Sequence, residues 1–134
     1  MPDNASSMHG IKVLMCAPNG PKLRSDCDVP ELIGHALEQD VDLVIIPKER
    51  LDDDFFALRT RIAGEVIQKF VNYRLSLAIV GDISLQVSEN SALRDFVAES
   101  NRGHHIWFVT HLPALDERLK RAHHERQGAA RSQT

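Results

Sequence analysis

The chain has 134 residues, enough for one compact domain with a buried core and too few for two ordinary ones. Its 43% hydrophobic and 26% charged content is that of a globular protein, and no apolar run is long enough to cross a bilayer, so a membrane partner is excluded at this level. A net charge of −3 gives no global pull toward nucleic acid.

Residues 1–9 carry acid and polar groups instead of a basic stretch and an apolar core, so they are expected to be a disordered leader without a secretory signal, which makes a cytoplasmic location the expectation. The run IKVLMC from Ile11 is short, apolar and rich in branched residues, and it suits a first strand. A turn at Asn19-Gly20 and a short second strand at residues 21–24 are expected to pair back on it as an antiparallel hairpin. Cys16 and Cys27 match no zinc or dithiol spacing, and Cys16 reads as a buried thiol.

Asp28, Pro30 and Glu31 form a helix-start signal, and the helix they open should bury Leu32, Ile33, Ala36 and Leu37 and end near Gln39. VDLVIIP is then a continuous apolar strand of the kind found in a sheet covered on both faces, and Pro47 stops it. Asp52, Asp53 and Asp54 suit the start of a helix, where their charge complements its dipole; a metal or general-acid role is the alternative. After a break at Arg59-Thr60-Arg61 a second helix carries Ile62, Val66, Ile67 and Phe70 inward, with Gly64 permitting close contact between helix and sheet.

LSLAIVG is the central strand. A helix comes next, capped by Ser88 or starting at Ser91, with Ala92, Leu93, Phe96 and Val97 inward and Gly103 as a left-handed stop. HIWFVT gives the last strand, and Leu112, Leu115, Leu119 and Ala122 face a final helix to the sheet. Residues 123–134 turn to Gly, Ala, Ser and Gln and read as a disordered tail, leaving residues 10–122 as one α/β domain. Its expected architecture is a single-layer, mostly parallel sheet of four to five strands with helices packed on it, in the order β-β-α-β-α-β-α-β-α.

The segment from Lys48 through Val109, with KERLDDDFF, IAGEVIQKFVNYR, LAIVGDIS, SALRDFVAESNRG and IWFV, resembles the bacterial family catalogued as domain of unknown function 4180. That resemblance covers about half the chain in its motifs and brings no activity or catalytic residues with it. The element order is also similar to that of STAS domains of anti-sigma-factor antagonists, small bacterial regulators that bind partner proteins. In those proteins a phosphorylated serine begins the helix after the strand that corresponds here to residues 43–47. Leu51-Asp52-Asp53-Asp54-Phe55 stands in that place without a serine, so the resemblance implies a permanently acidic surface there and carries over no phosphorylation switch.

Ligands of open α/β sheets meet the carboxyl ends of the strands. That rule selects Lys48, Glu49 and Arg50, then Asp82 and Ser84, then Thr110 and His111. Asp82 suits a base or a turn former; Ser84 lacks the glycines of a nucleophile elbow. Glu99, Asn101 and Arg102 end a helix at the opposite edge and read as capping and surface pairing. His104-His105 alternate across a strand and cannot easily share one ion, and no zinc or nucleotide fingerprint is present, so neither metal nor cofactor is expected.

Arg118, Lys120, Arg121, Arg126 and Arg131 suit a solvated helix face running into a tail at least as well as a phosphate-binding arm, and nucleic acid is disfavoured. The STAS-like element order and the missing catalytic motif together imply a non-enzymatic regulatory or protein-binding module of STAS-like architecture, with Lys48, Arg50, Asp52, Asp53, Asp54, Asp82 and Ser84 as candidate binding residues. The alternative is a small-molecule-binding protein or small enzyme using Lys48, Arg50, Asp82 and Ser84.

Overall fold

Met8 and Ile11 face each other across a two-residue turn in which His9 (φ 52°) and Gly10 (φ 79°) both adopt left-handed backbone. Two successive positive φ values are what a tight hairpin needs to match the strands' twist. The computed structural model describes residues 4–18, 22–23 and 28–121, and this turn joins its first two strands, β1 (Asn4–Met8) and β2 (Ile11–Met15). Part of the expected leader is thus an ordered edge strand. Its polar sequence, NASSM, hides it, because an edge strand is held by backbone pairing and does not need an apolar pattern. The expected hairpin partner at residues 21–24 falls largely outside the described residues, and Lys22 and Leu23 lie in no strand.

From β2 onward all pairing is parallel, through β3 (Leu43–Pro47), β4 (Ser76–Val80) and β5 (Ile106–Val109), and the five strands lie in sequence order. Crossovers between parallel strands are right-handed almost without exception, and here each steps one strand in the same direction. All connecting helices therefore land on one face: α1 (Asp28–Glu38), the short α2 (Asp53–Phe56) with α3 (Ile62–Asn72), and α4 (Ser84–Glu89) with α5 (Ser91–Arg102). Leu14, Val44, Ile46, Leu77, Ile79 and Phe108 point into that core and meet Ile33, Phe55, Val66, Phe70 and Leu93.

The alternate residues, Val13, Leu43, Ile45, Ala78 and Trp107, form a second core on the other face. Leu115 and Leu119 of a last helix, α6 over residues 112–121, pack against them. Polar contacts hold this helix on both flanks: His9 Nε2 lies 2.9 Å from Asp116 Oδ1, and the Arg118 guanidinium lies 4.7 Å from the Trp107 ring centroid. The continuous apolar strands thus reflect burial on both faces, as expected.

Several local expectations need correction. Leu37, Ala92 and Leu112 are exposed instead of inward, because each lies at the edge of its helix's buried stripe near a helix end. The helix after β4 divides in two: α4 ends before Asn90, whose side-chain oxygen accepts from the Leu93 N–H (3.2 Å) and caps α5, so the later start at Ser91 holds. Gly103 ends α5 at φ −83° and is not left-handed. Ala122 and the tail at residues 123–134 lie outside the described residues.

Gly64 is also not a close-contact position, since it is exposed on α3 and a Cβ there would meet nothing within 4 Å. With no packing role, its effect is the backbone entropy of a helical glycine. Gly64→Ala is expected to stabilise the chain by about 0.5–1 kcal/mol, seen as a raised urea midpoint; an unchanged or lowered midpoint would show a contact that the fold does not contain.

Candidate functional site

Because β2 to β5 are parallel, their carboxyl ends share one edge, and the segments 16–18, 48–50, 81–84 and 110–111 gather there. Pro47 (φ −65°) closes β3 and leads into a 3-10 turn at Lys48–Arg50. The Lys48 stem then runs over Gly81, where a Cβ would come within 2.5 Å of Lys48 Cγ. Gly81 also has φ 150°, so both its backbone and its neighbour require glycine. Past Gly81 the Lys48 Nζ donates to the Asp82 carbonyl oxygen at 2.5 Å, strapping β3 to the loop after β4.

Asp82 closes an Asx turn: its Oδ1 accepts the backbone N–H of Ser84 at 3.0 Å and opens α4. The side-chain hydrogen bond from Ser84 and then the backbone one hold the Asp82 carboxyl below the usual aspartate range, against an opposing effect of desolvation, with the Lys48 charge adding the smallest contribution. Arg50 is 3% exposed, the only buried charged residue among those described. Its Nη1 donates to the Ala17 carbonyl at 3.0 Å, while its own carbonyl accepts from the Leu23 N–H at 2.7 Å. It joins the loop after β2 to the end of β3.

The three aspartates begin α2 and are exposed. Asp52 occupies the N-cap position but makes no side-chain cap bond, and instead lies 3.7 Å from Lys22. Both partners of that pair are about half exposed, at 56% and 51%, so it adds little stability.

Between β4, β5, α4 and α5 lies a crevice of about 290 Å³. Ile83, Val87, Val97 and Phe108 supply most of its wall, and Asp82, Ser84, Thr110 and Asn101 its polar lining. Of the candidate binding residues, the structure brings only Asp82 and Ser84 to this crevice. Lys48 touches it through the backbone of Asp82; Arg50 and the three aspartates do not line it. His111 stands directly before α6, its carbonyl accepting from the Ala114 N–H at 3.1 Å. Among the described residues no three His, Cys, Asp or Glu side chains come together in a way that could hold a metal ion.

Sequence reasoning misses Asn101, which it assigns to helix capping at the far edge. Its Oδ1 accepts from the Phe108 N–H at 2.7 Å and its Nδ2 donates to the Phe108 carbonyl at 3.1 Å. β5 is an edge strand, and the β4 ladder uses the alternate groups, such as the Val109 carbonyl that accepts from the Gly81 N–H. The Asn101 amide therefore stands in for a sixth strand at one residue. An asparagine ending the helix that precedes an edge strand is the sole signal for this, and it is a weak one.

An open α/β sheet with a small, mainly apolar crevice at its strand ends defines a domain class and no particular chemistry. Residues 8–119 match the family model described as Domain of unknown function (DUF4180), and the chain belongs to that family, as the motifs between Lys48 and Val109 lead one to expect. Comparison with curated proteins and with solved structures gave no match.

Replacing Asn101 with alanine leaves the outward N–H and C=O of Phe108 unpaired. Asn101→Ala is expected to cost about 1–3 kcal/mol in urea unfolding; a loss under about 0.3 kcal/mol would mean that water serves that edge equally well. Asp82 gives a pH prediction. A depressed native pKa stabilises the fold above the unfolded value of about 3.9 and is lost as pH falls through the native value. Carbon-detected NMR titration should find Asp82 below the ordinary aspartate value, and Ser84→Ala should move it back up toward that value; an Asp82 that titrates at the ordinary value contradicts the Asx geometry.

Proposed function

We propose that this chain is a non-enzymatic regulatory module whose strand-end crevice takes an apolar side chain from a partner polypeptide. One observation carries the reading: the Lys48 amine, the Arg50 guanidinium and the Asp82 carboxylate at this edge each bond to backbone, while the cavity beside them is walled by Ile83, Val87, Val97 and Phe108. Leu85 (66% exposed) and Leu112 (41% exposed) stand at the same edge. Apolar side chains around a shallow cavity are more useful for docking a protein than for orienting a small polar substrate.

The exposed Asp52, Asp53 and Asp54 lie on this edge as well, where the STAS analogy has its phosphorylated serine. A fixed acidic run at the same strand-end edge as an apolar crevice favours a partner segment with an apolar anchor and basic flanks, and it makes association faster and salt-dependent. A small enzyme is the weaker alternative, because neither the Lys48 amine nor the Asp82 carboxylate is presented to the crevice without a backbone partner.

The test compares proteins captured by the intact chain with those captured by Leu85→Glu and by the doubly neutralised Asp53→Asn/Asp54→Asn variant. Both sets of positions are exposed, so folding is retained. A specific partner should be lost with Leu85→Glu and weakened by about tenfold or less with the neutralised variant, an effect that added salt mimics. Capture that is indifferent to both variants overturns the reading.

A further inference from the structure

A second cavity, of about 420 Å³, opens at the free side of β5 between the end of α5 and α6. Arg102, His104, Arg118 and Arg121 line it together with Trp107, Val109 and the small residues Gly103 and Ala114, and among the described residues no carboxylate does. Among the described residues none of the three arginines forms an ion pair: Glu99 and Glu117 stand one helical turn before Arg102 and Arg121 on α5 and α6, yet neither reaches them within pairing distance. Three guanidinium groups around one concavity that meet no counter-charge among the described residues are an electrostatic cost that an anion would remove.

One of these arginines is fixed in place. Arg118 lies over the Trp107 ring and donates through one nitrogen to the Asn101 carbonyl, while the Trp107 Nε1–H donates to the Gly103 carbonyl at 2.9 Å. These bonds answer two carbonyls at the end of α5, which would otherwise turn a negative helix end toward the cavity. Among the described residues only one of the five N–H groups of Arg118 has a partner, so the rest of a held guanidinium fork faces the cavity for a ligand. Arg118 and Arg121 line the same cavity, and burial, and after it the Arg121 charge, push the Arg118 pKa down.

We propose that this cavity is a binding site for a phosphate group of a small phosphorylated ligand, with Arg118 as the preset anchor and Arg102 and Arg121 closing on the remaining oxygens. Guanidinium forks match phosphate oxygens in pairs, and a multiply charged phosphate gains more from three of them than a carboxylate does. The cavity is separate from the apolar crevice: it shares Val109 with it as lining but none of its polar residues. Of the basic residues near the C-terminus, Arg118 is the one held in place by Trp107 and the Asn101 carbonyl, and Arg121 lines the same cavity from an exposed position.

Trp107 is the only tryptophan in the chain, so its emission reports on this cavity directly. The full chain is titrated with inorganic pyrophosphate at low salt, with inorganic phosphate and a single-stranded oligonucleotide as separate arms. A saturable change in emission is expected with pyrophosphate and a weaker one with phosphate, and Arg121→Gln and Arg102→Gln, both at exposed positions, should each weaken pyrophosphate by about tenfold or more. The absence of saturation up to about 10 mM pyrophosphate, or equal affinity in the variants, overturns the proposal. An oligonucleotide that binds with a steep salt dependence and is not displaced by pyrophosphate overturns it too, in favour of an extended nucleic-acid surface.

Discussion

The side chain of Asn101 closes the outer edge of β5 at Phe108 while its carbonyl receives Arg118 from α6, so one residue joins α5, the edge of the sheet and the helix on the opposite face. Both cavities border this junction. The apolar crevice has Asn101 and Phe108 in its wall, and the basic cavity has Arg118 and Trp107 in its floor. The constraint arises from topology. A strictly sequential order of strands places every crossover helix on one face, so the second face takes its cover from the chain beyond β5, and α6 needs lateral fastening. Arg118 on one flank and the His9–Asp116 contact on the other supply it.

At the carboxyl edge the fold uses charge for carpentry. Lys48 bridges two loops across Gly81, Arg50 is buried to hold the loop after β2, and Asp82 opens α4. A cluster of Lys, Arg, Asp and Ser at strand ends is the pattern that suggests a polar site. Once each group is traced to its partner, the partners are mainly backbone, as is common for loops that need buried carbonyls and amide groups satisfied. The acidic run at Asp52, Asp53 and Asp54 and the apolar Leu85 and Leu112 stay exposed at that edge.

Much of the fold was legible in the sequence because three apolar runs and their turn chemistry leave few alternatives: the strands around Leu43, Leu77 and Ile106 and the helices carrying Ile33, Val66 and Leu93 come directly from periodicity. β1 was not legible, since NASSM satisfies only backbone groups and its turn is His-Gly in place of the commoner Asn-Gly. Gly64 and Gly103 were misread because a glycine in sequence signals permission without saying whether it is used. The candidate site was legible in position, as the strand-end rule located Asp82 and Ser84. It was not legible in chemistry, because the role of Lys48, Arg50 or Asn101 depends on a carbonyl or amide contributed by a segment 7 to 34 residues away.

The junction at Asn101 is tested most directly by native-state hydrogen exchange on the unmodified chain, read at the Phe108 amide. That N–H faces outward from an edge strand, where amides ordinarily exchange quickly. If Asn101 closes the edge, Phe108 exchanges as slowly as the amides paired between β4 and β5, within about tenfold. Exchange at Phe108 that is orders of magnitude faster than theirs would contradict the junction, and with it the placement of both cavities around α5, β5 and α6.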